Sequence, residues 1–239
     1  MTPQHLPSGF IEPLLVDNNY LAEKATMDVD DQLYAAWPLE GLRSPLYPIW
    51  HKVIDITFGL GGAVVLLLLF PIMALLIYLD SPGPIFYSQM RVGYQGKKFR
   101  MLKFRSMCTD AEHTGCAVWA AEHDARVTSI GCFMRSLHID ELPQVINILR
   151  GEMSLIGPRP EREEFVTELE KVIPFYRLRL TIKPGLTGWA QVKYGYTRTI
   201  QEALIKLKFD LYYIEHQSIT LDISIILKTI VEILLHHGS

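Results

Sequence analysis

One stretch of the chain constrains its fold more than any other. The segment Ile56 to Leu79, ITFGLGGAVVLLLLFPIMALLIYL, is 24 residues long and uncharged, and Asp55 and Asp80 bound it. At about 1.5 Å per residue, a straight helix of that length crosses a bilayer core of roughly 30 Å. A core helix of a soluble protein is seldom apolar on every side over such a length. The segment therefore predicts insertion into a membrane.

The sequence leaves open how this segment sits in the membrane. Pro71 lies inside it, and a proline removes one helical hydrogen bond and clashes with the preceding turn. Basic residues flank both ends, with His51 and Lys52 before the segment and six lysines and arginines from Arg91 to Arg105 after it. Because basic residues favour the cytoplasmic side, a helix that bends at Pro71 and returns to the same face satisfies both flanks. A spanning helix with a proline kink is the alternative, and the residues alone favour neither.

Charge is unevenly distributed along the chain. The 239 residues suffice for one main domain plus an appendage. Residues 1–46 hold seven acids and two bases, whereas the remainder is slightly basic. We expect an acidic segment over 1–45, poorly ordered or packed on the domain, a membrane segment over 46–84, and a domain over 85–239. Three cysteines without a CxxC pair argue against a disulfide framework or a zinc site, and the N-terminus lacks the pattern of a cleavable signal peptide.

After the apolar segment, the pattern predicts a β-hairpin and then mainly helices. Strands are expected over 85–92 and 98–107 around a glycine-containing loop. Apolar periodicity predicts helices at 139–150, 161–172, 199–216 and 220–236. The last carries an apolar face with few charges, so it either lies in a membrane interface or packs on the domain core. The fold class expected is α+β and mainly helical.

The hairpin carries a basic strip. From Arg91 to Arg105 there are six basic residues and no acid. A solvated hairpin face is one explanation. Lipid headgroups or an anionic substrate explain a basic strip beside a membrane segment more naturally. Nucleic acid is not expected, because no aromatic-basic motif accompanies the strip.

Two adjacent carboxylates, Asp140 and Glu141, stand within RSLHIDELPQVINILRGEMSLIGPRPE. Pro143 follows Asp140 by three residues, which is typical of a helix N-cap. The same place suits a nucleophile, since the positive end of a helix favours an ionised carboxylate and an incoming phosphate. Attack on a diphosphate also needs nearby positive charge, for which Arg135 and Arg159 are candidates. Capping and catalysis both explain the pair at this point, just as Arg135 also fits a solvated charge and GPRP a rigid turn.

Four motifs, read together and in order, are specific. They are KFRSM, RSLHIDELPQVINILRGEMSLIGPRPE, KPGLTGWAQV and KFDLYYIEHQSITLDISIILKTI. They resemble the bacterial sugar transferases known as monotopic phosphoglycosyl transferases, which initiate exopolysaccharide, O-antigen and N-glycan assembly. The resemblance covers residues 47 to 235. It implies a re-entrant helix-break-helix in the bacterial inner membrane, which anchors a cytoplasmic catalytic domain with a β-hairpin and interfacial amphipathic helices.

The resemblance also implies a reaction in two steps. An aspartate attacks the β-phosphate of a UDP-sugar, UMP leaves, and a covalent phosphosugar-enzyme forms. Polyprenyl (undecaprenyl) phosphate then takes the phosphosugar, and Mg²⁺ is required. The implied partners are the UDP-sugar, polyprenyl phosphate and inner-membrane lipid, without nucleic acid, and family members also form homodimers.

Carried onto this chain, the resemblance assigns roles to particular residues. Asp140 matches the nucleophile, which would also bind the metal, and Glu141 matches its dyad partner. Pro71 matches the proline of the helix break. The other matches bind phosphate or substrate: Lys103, Arg135, Pro158 and Arg159.

Three positions depart from the family pattern. Phe70 precedes Pro71 where serine is frequent, so the side-chain bond that supports the bend is absent. Glu152 replaces an aspartate, and Lys193 replaces an asparagine after WAQV, which leaves the sugar open. The first 45 residues are too few for the long N-terminal membrane domain of larger members.

Two other functions fit part of the pattern. A phosphohydrolase with an aspartate nucleophile usually carries it in an Asp-x-Asp motif, and Asp140 does not lie in one. A membrane-anchored scaffold without activity explains the apolar segment and the basic strip, but not the four motifs together.

Overall fold

A computed structural model of the protein describes residues 46–109, 124, 126–194 and 199–235. The acidic segment predicted over 1–45 lies outside these residues, as does most of the loop after Lys193. The described part is mainly helical with two small two-stranded sheets, which confirms the predicted fold class. In chain order the elements are α1 Tyr47–Asp80, β1 Phe86–Val92, β2 Lys98–Phe104, α2 Ser129–Ser136, a 3₁₀ helix Ile139–Gln144, α3 Val145–Leu149, β3 Ser154–Ile156, α4 Glu163–Val172, a 3₁₀ helix Tyr176–Thr181, β4 Gly185–Thr187, α5 Trp189–Tyr194, α6 Ile200–Glu215 and α7 Ile219–Leu234.

The 34-residue helix α1 contains the apolar segment. Its buried positions recur at helical spacing and form one face, made of Tyr47, Ile54, Gly59, Leu66, Met73 and Ile77. The opposite face is apolar and uncovered, with Leu67 75% and Leu79 69% exposed. Only 17% of its most apolar 18-residue stretch is buried, whereas a helix in the core of a soluble protein is mostly buried. By length and composition α1 is able to cross a membrane.

Pro71 does not end α1. The helix continues through it to Asp80, so the predicted break is not seen as two separate helices. The physical reason is that a proline within a helix removes one hydrogen bond and bends the axis without having to interrupt the helical conformation on either side. Re-entrant insertion stays a prediction.

Both ends of the apolar segment are hydrogen-bonded to the domain that follows. Near the start, the Asp55 carboxylate accepts hydrogen bonds from Ser154 Oγ at 2.7 Å and from the Leu155 N–H at 2.8 Å. At the end, Asp80 accepts a hydrogen bond of 2.8 Å from the N–H of Ile130, in the first turn of α2. The two acids that bound the segment in the sequence therefore attach it to the domain.

Two glycines let α1 and α3 approach closely. A Cβ atom on Gly59 would lie 2.6 Å from Leu149 Cδ2, and one on Gly62 would lie 2.5 Å from Val145 Cγ1. Real Cβ atoms do not come that close, so a larger residue at either position would require the Leu149 or Val145 side chain to shift. Through Val145, this contact is continuous with a buried apolar core. The core consists of Leu66, Met73, Ile77, Phe104, Met134 and Val145.

The predicted hairpin is confirmed. Strands β1 and β2 pair antiparallel from Phe86 opposite Phe104 to Val92 opposite Lys98. The turn uses positive φ values at Gln95 (53°) and Gly96 (76°), which suits the glycine. On one side of the hairpin, Phe86 stacks between Phe70 of α1 and Phe104, with ring centroids 5.5 Å apart in both pairs.

Three of the four predicted helices are confirmed within two residues at each end, as α4, α6 and α7. The helix predicted over 139–150 is a 3₁₀ helix up to Gln144 and an α-helix only from Val145. Pro143 explains the difference, since it has no N–H to bond the carbonyl four residues earlier. The short parallel pair of β3 and β4, with Ser154 opposite Gly185, was not predicted.

Candidate active site

The two carboxylates lie in a tight turn between α2 and α3. His138 has left-handed backbone geometry (φ 55°), and the 3₁₀ helix begins directly after it. Asp140 is the second residue of that helix, and the cap position belongs to His138, so the interpretation of Asp140 as an N-cap is wrong. A positive φ on a non-glycine residue is strained, and such strain is concentrated at functional sites. The turn leaves the Asp140 side chain buried, with the residue 5% exposed.

Glu141 is held by two cations from different parts of the chain. Lys103 Nζ donates to its Oε1 at 2.7 Å. Arg159 donates to both carboxylate oxygens, with Nη1 to Oε2 at 3.1 Å and Nη2 to Oε1. Burial alone would raise the pKa of Glu141, but the charges and hydrogen bonds of Arg159 and Lys103 hold that pKa well below its ordinary value. Glu141 is therefore ionised, and both of its oxygens are engaged.

Asp140 differs from Glu141 in its hydrogen bonding and in the direction of its pKa shift. Within the part of the chain that the structure describes, its carboxylate accepts no side-chain or main-chain hydrogen bond. Burial raises the pKa of Asp140, and the adjacent charge of Glu141 adds to the rise, while Lys103, Arg135 and Arg159 oppose it. A buried carboxylate without hydrogen bonds keeps its lone pairs for chemistry. The dyad thus consists of one fixed carboxylate and one available carboxylate.

Arg135 lies on the side of the dyad formed by α2. It occupies the last turn of that helix, and its Nε donates to Ser106 Oγ at 2.9 Å. Its charge is near enough to lower the pKa of Asp140. The sequence prediction that Arg135 lies at the site is consistent with this position, although its contact with phosphate stays a prediction.

Lys103 is placed by a buried asparagine that the sequence analysis did not single out. Asn147 of α3 is fully buried and accepts a hydrogen bond from the Leu102 N–H at 3.0 Å. Its Nδ2 donates to the Arg100 carbonyl at 2.8 Å and to Glu152 Oε2 at 2.7 Å. These bonds fix β2 against the helix that follows the dyad, so Lys103 reaches Glu141. Glu152, noted as a departure from the family pattern, serves here as an acceptor.

The basic strip of the hairpin is not a single solvated face. Lys103 points to Glu141, and Arg105 is 6% exposed and donates to the Ser81 carbonyl. Arg91 donates to the Pro160 carbonyl at 3.3 Å and pairs with Glu161 at 3.7 Å. Three of the six cations therefore face inward, toward the dyad, the end of α1 and the loop of Pro158 to Glu161.

That loop, GPRPE, is fixed by its main chain. The buried Pro158 accepts a hydrogen bond from the Gly185 N–H at 2.9 Å, and the Gly157 N–H donates to the Thr187 carbonyl at 2.9 Å. A Cβ on Gly157 would lie 2.4 Å from the Lys183 carbonyl, so only glycine permits this approach. The motifs GPRP and KPGLTG, distant in sequence, thus form one layer that presents Arg159 to Glu141.

A group of buried charges behind the loop was missed by sequence reasoning. Arg179 and Asp210 form an ion pair of 2.8 Å with both side chains 3% exposed. Glu161 lies 3.8 Å from Arg179 and 3.7 Å from Lys206. Each of these residues looks like an ordinary surface charge in the sequence, and no spacing rule connects them. Of these four residues, only Glu161 and Asp210 fall within the motif segments GPRPE and KFDLYYIEHQ, which was the only signal the sequence offered.

The site offers a modest ligand set for magnesium. Among the described residues no group of three or more His, Cys, Asp or Glu side chains is arranged to hold a metal ion. Both oxygens of Glu141 are engaged, which leaves Asp140 as the available carboxylate. Mg²⁺ in phosphoryl-transfer sites is often held by one or two carboxylates together with substrate phosphates and water. Asp140 together with substrate phosphates would suit an ion of that kind, and Mg²⁺ with Asp140 as its ligand stays a prediction.

Comparison with known proteins adds to this geometry. A family model described as "Bacterial sugar transferase" matches residues 46–236. The chain is 45% identical over 201 residues to the UDP-N-acetylgalactosamine-undecaprenyl-phosphate N-acetylgalactosaminephosphotransferase of Aeromonas hydrophila, covering 83% of this chain and 47% of that protein. It is 42% identical over 178 residues to the UDP-glucose:undecaprenyl-phosphate glucose-1-phosphate transferase of Xanthomonas campestris pv. campestris, covering 72% and 37%.

A shorter relative is matched over most of its length. The exopolysaccharide production protein PSS of Rhizobium leguminosarum bv. phaseoli is 37% identical over 188 residues, which is 77% of this chain and 94% of that protein. The chain therefore spans less than half of the two larger relatives and nearly all of the smaller one. The family model, which matches residues 46–236, includes α1, the hairpin, the dyad turn and the GPRPE loop.

Proposed function

Because the chain belongs to the bacterial sugar transferase family, we propose that it transfers a sugar phosphate from a UDP-sugar to polyprenyl phosphate, with Asp140 as the nucleophile. Relatives named for UDP-sugar and undecaprenyl-phosphate substrates support the substrate class. The product would be a polyprenyl-diphosphate sugar, which starts the assembly of a glycoconjugate or exopolysaccharide. This enzyme is therefore assigned as a phosphoglycosyl transferase.

The division of labour within the dyad carries the proposal. Glu141 is clamped by Lys103 and Arg159, whereas Asp140, next to it, accepts no hydrogen bond from the described residues. If both carboxylates served only to pair with cations, both would be engaged. A buried carboxylate without hydrogen bonds is available to attack a phosphorus atom. The three cations beside it would reduce the repulsion between the negative carboxylate and the negative phosphate.

The chemistry runs in two balanced steps. An oxygen of Asp140 attacks the β-phosphorus, the bond from that phosphorus to the bridging oxygen breaks, and UMP leaves with the bridging oxygen. An oxygen of polyprenyl phosphate then attacks the same phosphorus. The bond to Asp140 breaks, the lipid-linked diphosphate sugar leaves, and the carboxylate is restored. Arg159 and Lys103, both bonded to Glu141, would bind the transferred phosphate, and Arg135 would approach it from α2.

The charge around the dyad suits a diphosphate. Three cations, Lys103, Arg135 and Arg159, lie within electrostatic reach of the two dyad carboxylates. Positive charge therefore exceeds negative charge at the dyad by one, and excess positive charge stabilises charge developing in phosphoryl transfer. A magnesium ion held by Asp140 and the substrate would neutralise further phosphate charge. The hydrogen bonds of Lys103 and Arg159 to Glu141 would loosen when phosphate arrives.

The same proposal places the enzyme at the bacterial inner membrane, with the catalytic domain facing the cytoplasm. Nucleotide sugars are cytosolic, and α1 supplies an apolar anchor whose two ends are bonded to one domain. The headgroup of polyprenyl phosphate would then lie at the level at which α1 meets the domain. We infer that α1 inserts as a re-entrant helix bent at Pro71.

Release of UMP tests the function directly. Purified enzyme mixed with UDP-glucose or UDP-N-acetylgalactosamine, without lipid acceptor, should release at most one UMP per enzyme, and intact mass spectrometry should show a phosphosugar adduct. Undecaprenyl phosphate should discharge the adduct and restore turnover. Asp140→Asn should abolish both signals and Glu141→Gln should severely reduce them.

The rival functions give different results in the same assay. Continuous UMP release into water without an acceptor would identify a hydrolase, and no UMP with any sugar in a UDP-sugar panel would support a scaffold. Normal transfer by Asp140→Asn, with deamidation excluded by mass, would rule out Asp140 as nucleophile.

A further inference from the structure

We propose that Arg179 and Asp210 act as positioning residues for Arg159. From behind the GPRPE loop, they would thereby fix the geometry of the dyad. This inference rests on the proposed function, because it concerns the orientation of a group expected to bind the transferred phosphate. Neither residue reaches the dyad. Both act through the main chain of the GPRPE loop.

The contacts of Arg179 define the role. Its Nη2 donates to the main-chain carbonyl of Arg159 at 2.9 Å and to Asp210 Oδ2 at 2.8 Å. Its Nε donates to the same Asp210 oxygen at 3.1 Å, and its Nη1 donates to Tyr176 Oη at 3.0 Å. One guanidinium thus joins the 3₁₀ helix Tyr176–Thr181, helix α6 and the loop. The planar group fixes the Arg159 carbonyl relative to two rigid elements.

The loop is held at a second point two residues later. Glu161 lies 3.7 Å from Lys206, 3.8 Å from Arg179 and 3.7 Å from Arg91. Both ends of the Arg159–Glu161 segment are therefore tied to the same buried group of charges. With the main chain fixed at both ends, the direction in which the Arg159 side chain leaves the loop is fixed as well.

Stability alone does not account for this arrangement. Buried ion pairs lose most of their attraction to desolvation, and apolar residues of similar volume are often as stable or more so. What the pair supplies is directionality, since a guanidinium anchored by a carboxylate can hold a carbonyl oxygen at one place. An arginine that must grip Glu141 with two parallel hydrogen bonds needs such placement, because bidentate geometry tolerates little displacement.

The experiment measures the first turnover in full-length enzyme reconstituted in nanodiscs. The rate of phosphosugar-adduct formation at saturating UDP-sugar is compared among wild type, Asp210→Asn and Tyr176→Phe. We expect Asp210→Asn to slow that rate by roughly 10- to 100-fold, the range for a slightly misplaced catalytic group. Tyr176→Phe removes one bond to Arg179 and should slow the rate by a few-fold. If Asp210→Asn does not fold, Tyr176→Phe decides the outcome.

A double-mutant cycle separates positioning from mere support of the fold. In an Arg159→Lys background, Asp210→Asn should slow adduct formation little further, because the group it positions is already lost. Its effect on thermal unfolding should persist in that background. Effects on rate that multiply instead would overturn the inference.

Asp222→Asn provides a matched control. Asp222 is as buried as Asp210 and accepts hydrogen bonds from Tyr213 Oη at 2.9 Å and Trp50 Nε1 at 3.0 Å, where α7 meets α6 and α1. It should lower the unfolding temperature without slowing adduct formation. A wild type that forms no adduct would reject the proposed function itself. A wild-type rate in folded Asp210→Asn and Tyr176→Phe would reject only the positioning role.

Discussion

Arg159 donates hydrogen bonds from two nitrogens to the Glu141 carboxylate, and this bidentate contact is the clearest role of a single residue in the site. A lysine at this position keeps the charge but presents one ammonium in place of a planar pair of donors. We therefore expect Arg159→Lys to slow UMP release by more than tenfold, about the effect of losing one strong charge-assisted hydrogen bond.

The surface pair of Arg177 and Glu170 provides the comparison for that substitution. Arg177→Lys makes the same chemical change at a partly exposed ion pair away from the dyad, and its UMP release should match wild type. Equal rates for the two variants would remove Arg159 from the site.

Lys103 should tune the acid limb of the pH–rate profile. Burial raises the pKa of Asp140, and Lys103 is the foremost group that opposes the rise. The nucleophile is the ionised form, so activity is present above the pKa of Asp140 and is lost as the pH falls through it. Lys103→Met removes the opposing charge, which raises that pKa further and moves the acid limb to higher pH. The first-turnover rate measured across pH values checks this.

Lys103→Arg retains a cation and serves as its control. Its acid limb should stay near that of wild type even if the absolute rate falls. An acid limb that does not move in Lys103→Met would mean that another group controls the ionisation of the nucleophile.

At the residue scale, the sequence predicted which residues form the dyad and its surroundings. It did not predict the contacts that fix their geometry. Asp140, Glu141, Lys103 and Arg159 were all identified through the family resemblance, and the structure brings them together. The capping role failed because it assumed an α-helix starting at Asp140, whereas Pro143 and the left-handed His138 impose a 3₁₀ turn. The buried charges could not be predicted, because a lysine or aspartate in a sequence carries no mark of burial.

The elements depend on a few buried polar side chains, of which Asn147 is the most connected. It joins α3 to β2 through the Leu102 N–H and the Arg100 carbonyl. Asn147→Ala leaves both main-chain groups buried without that partner, so the free energy of unfolding should fall by roughly 2 to 4 kcal/mol. Urea unfolding of the reconstituted protein measures this, and adduct formation should also slow because β2 carries Lys103.

Asn147→Asp separates the two kinds of hydrogen bond. It keeps an acceptor for Leu102 but loses both donors and places a negative charge beside Glu152. It should therefore destabilise the protein more than Asn147→Ala at neutral pH. Equal unfolding free energies for wild type and both variants would show that the link between α3 and β2 contributes nothing to stability.

At the element scale, prediction succeeded where periodicity was long and failed where elements were short. α4, α6 and α7 span 10 to 16 residues and carry clear apolar periodicity. β3 and β4 have three residues each, too few for any pattern to mark. Of the two explanations for α7, packing on the domain is confirmed, because Asp222 and Ile225 are fully buried. Leu227 and Leu234 are 58% and 69% exposed, and a position of this face in the membrane interface stays a prediction.

The topology of the whole molecule follows from where α1 is fastened. Asp55 and Asp80 bond to the same domain, and that domain carries the buried charges of the site, which lipid could not accommodate. Both ends of α1 should then face the cytoplasm. Cysteines at Leu46, which is 62% exposed, and at Pro82, also exposed, should react with an impermeant maleimide from the same side of sealed vesicles.

The labelling uses a background in which Cys108, Cys116 and Cys132 are replaced by serine. A cysteine at the exposed Lys171 of α4 reports the side of the catalytic domain. All three positions should label together. Opposite labelling of Leu46 and Pro82 would establish a spanning helix, while leaving the chemistry at Asp140 intact.

The side-on contact of α1 has a consequence for handling the protein at the bench. Many anchored enzymes yield a soluble fragment when their anchor is clipped away. Here the loss of residues 46–80 would uncover Phe104, Met134 and Val145, none more than 3% exposed, and would also remove the partners of Ser154 and Ile130. The remaining fragment would be expected to aggregate. We therefore expect the domain to need detergent or lipid to stay folded in solution, because the anchor supplies one wall of its interior.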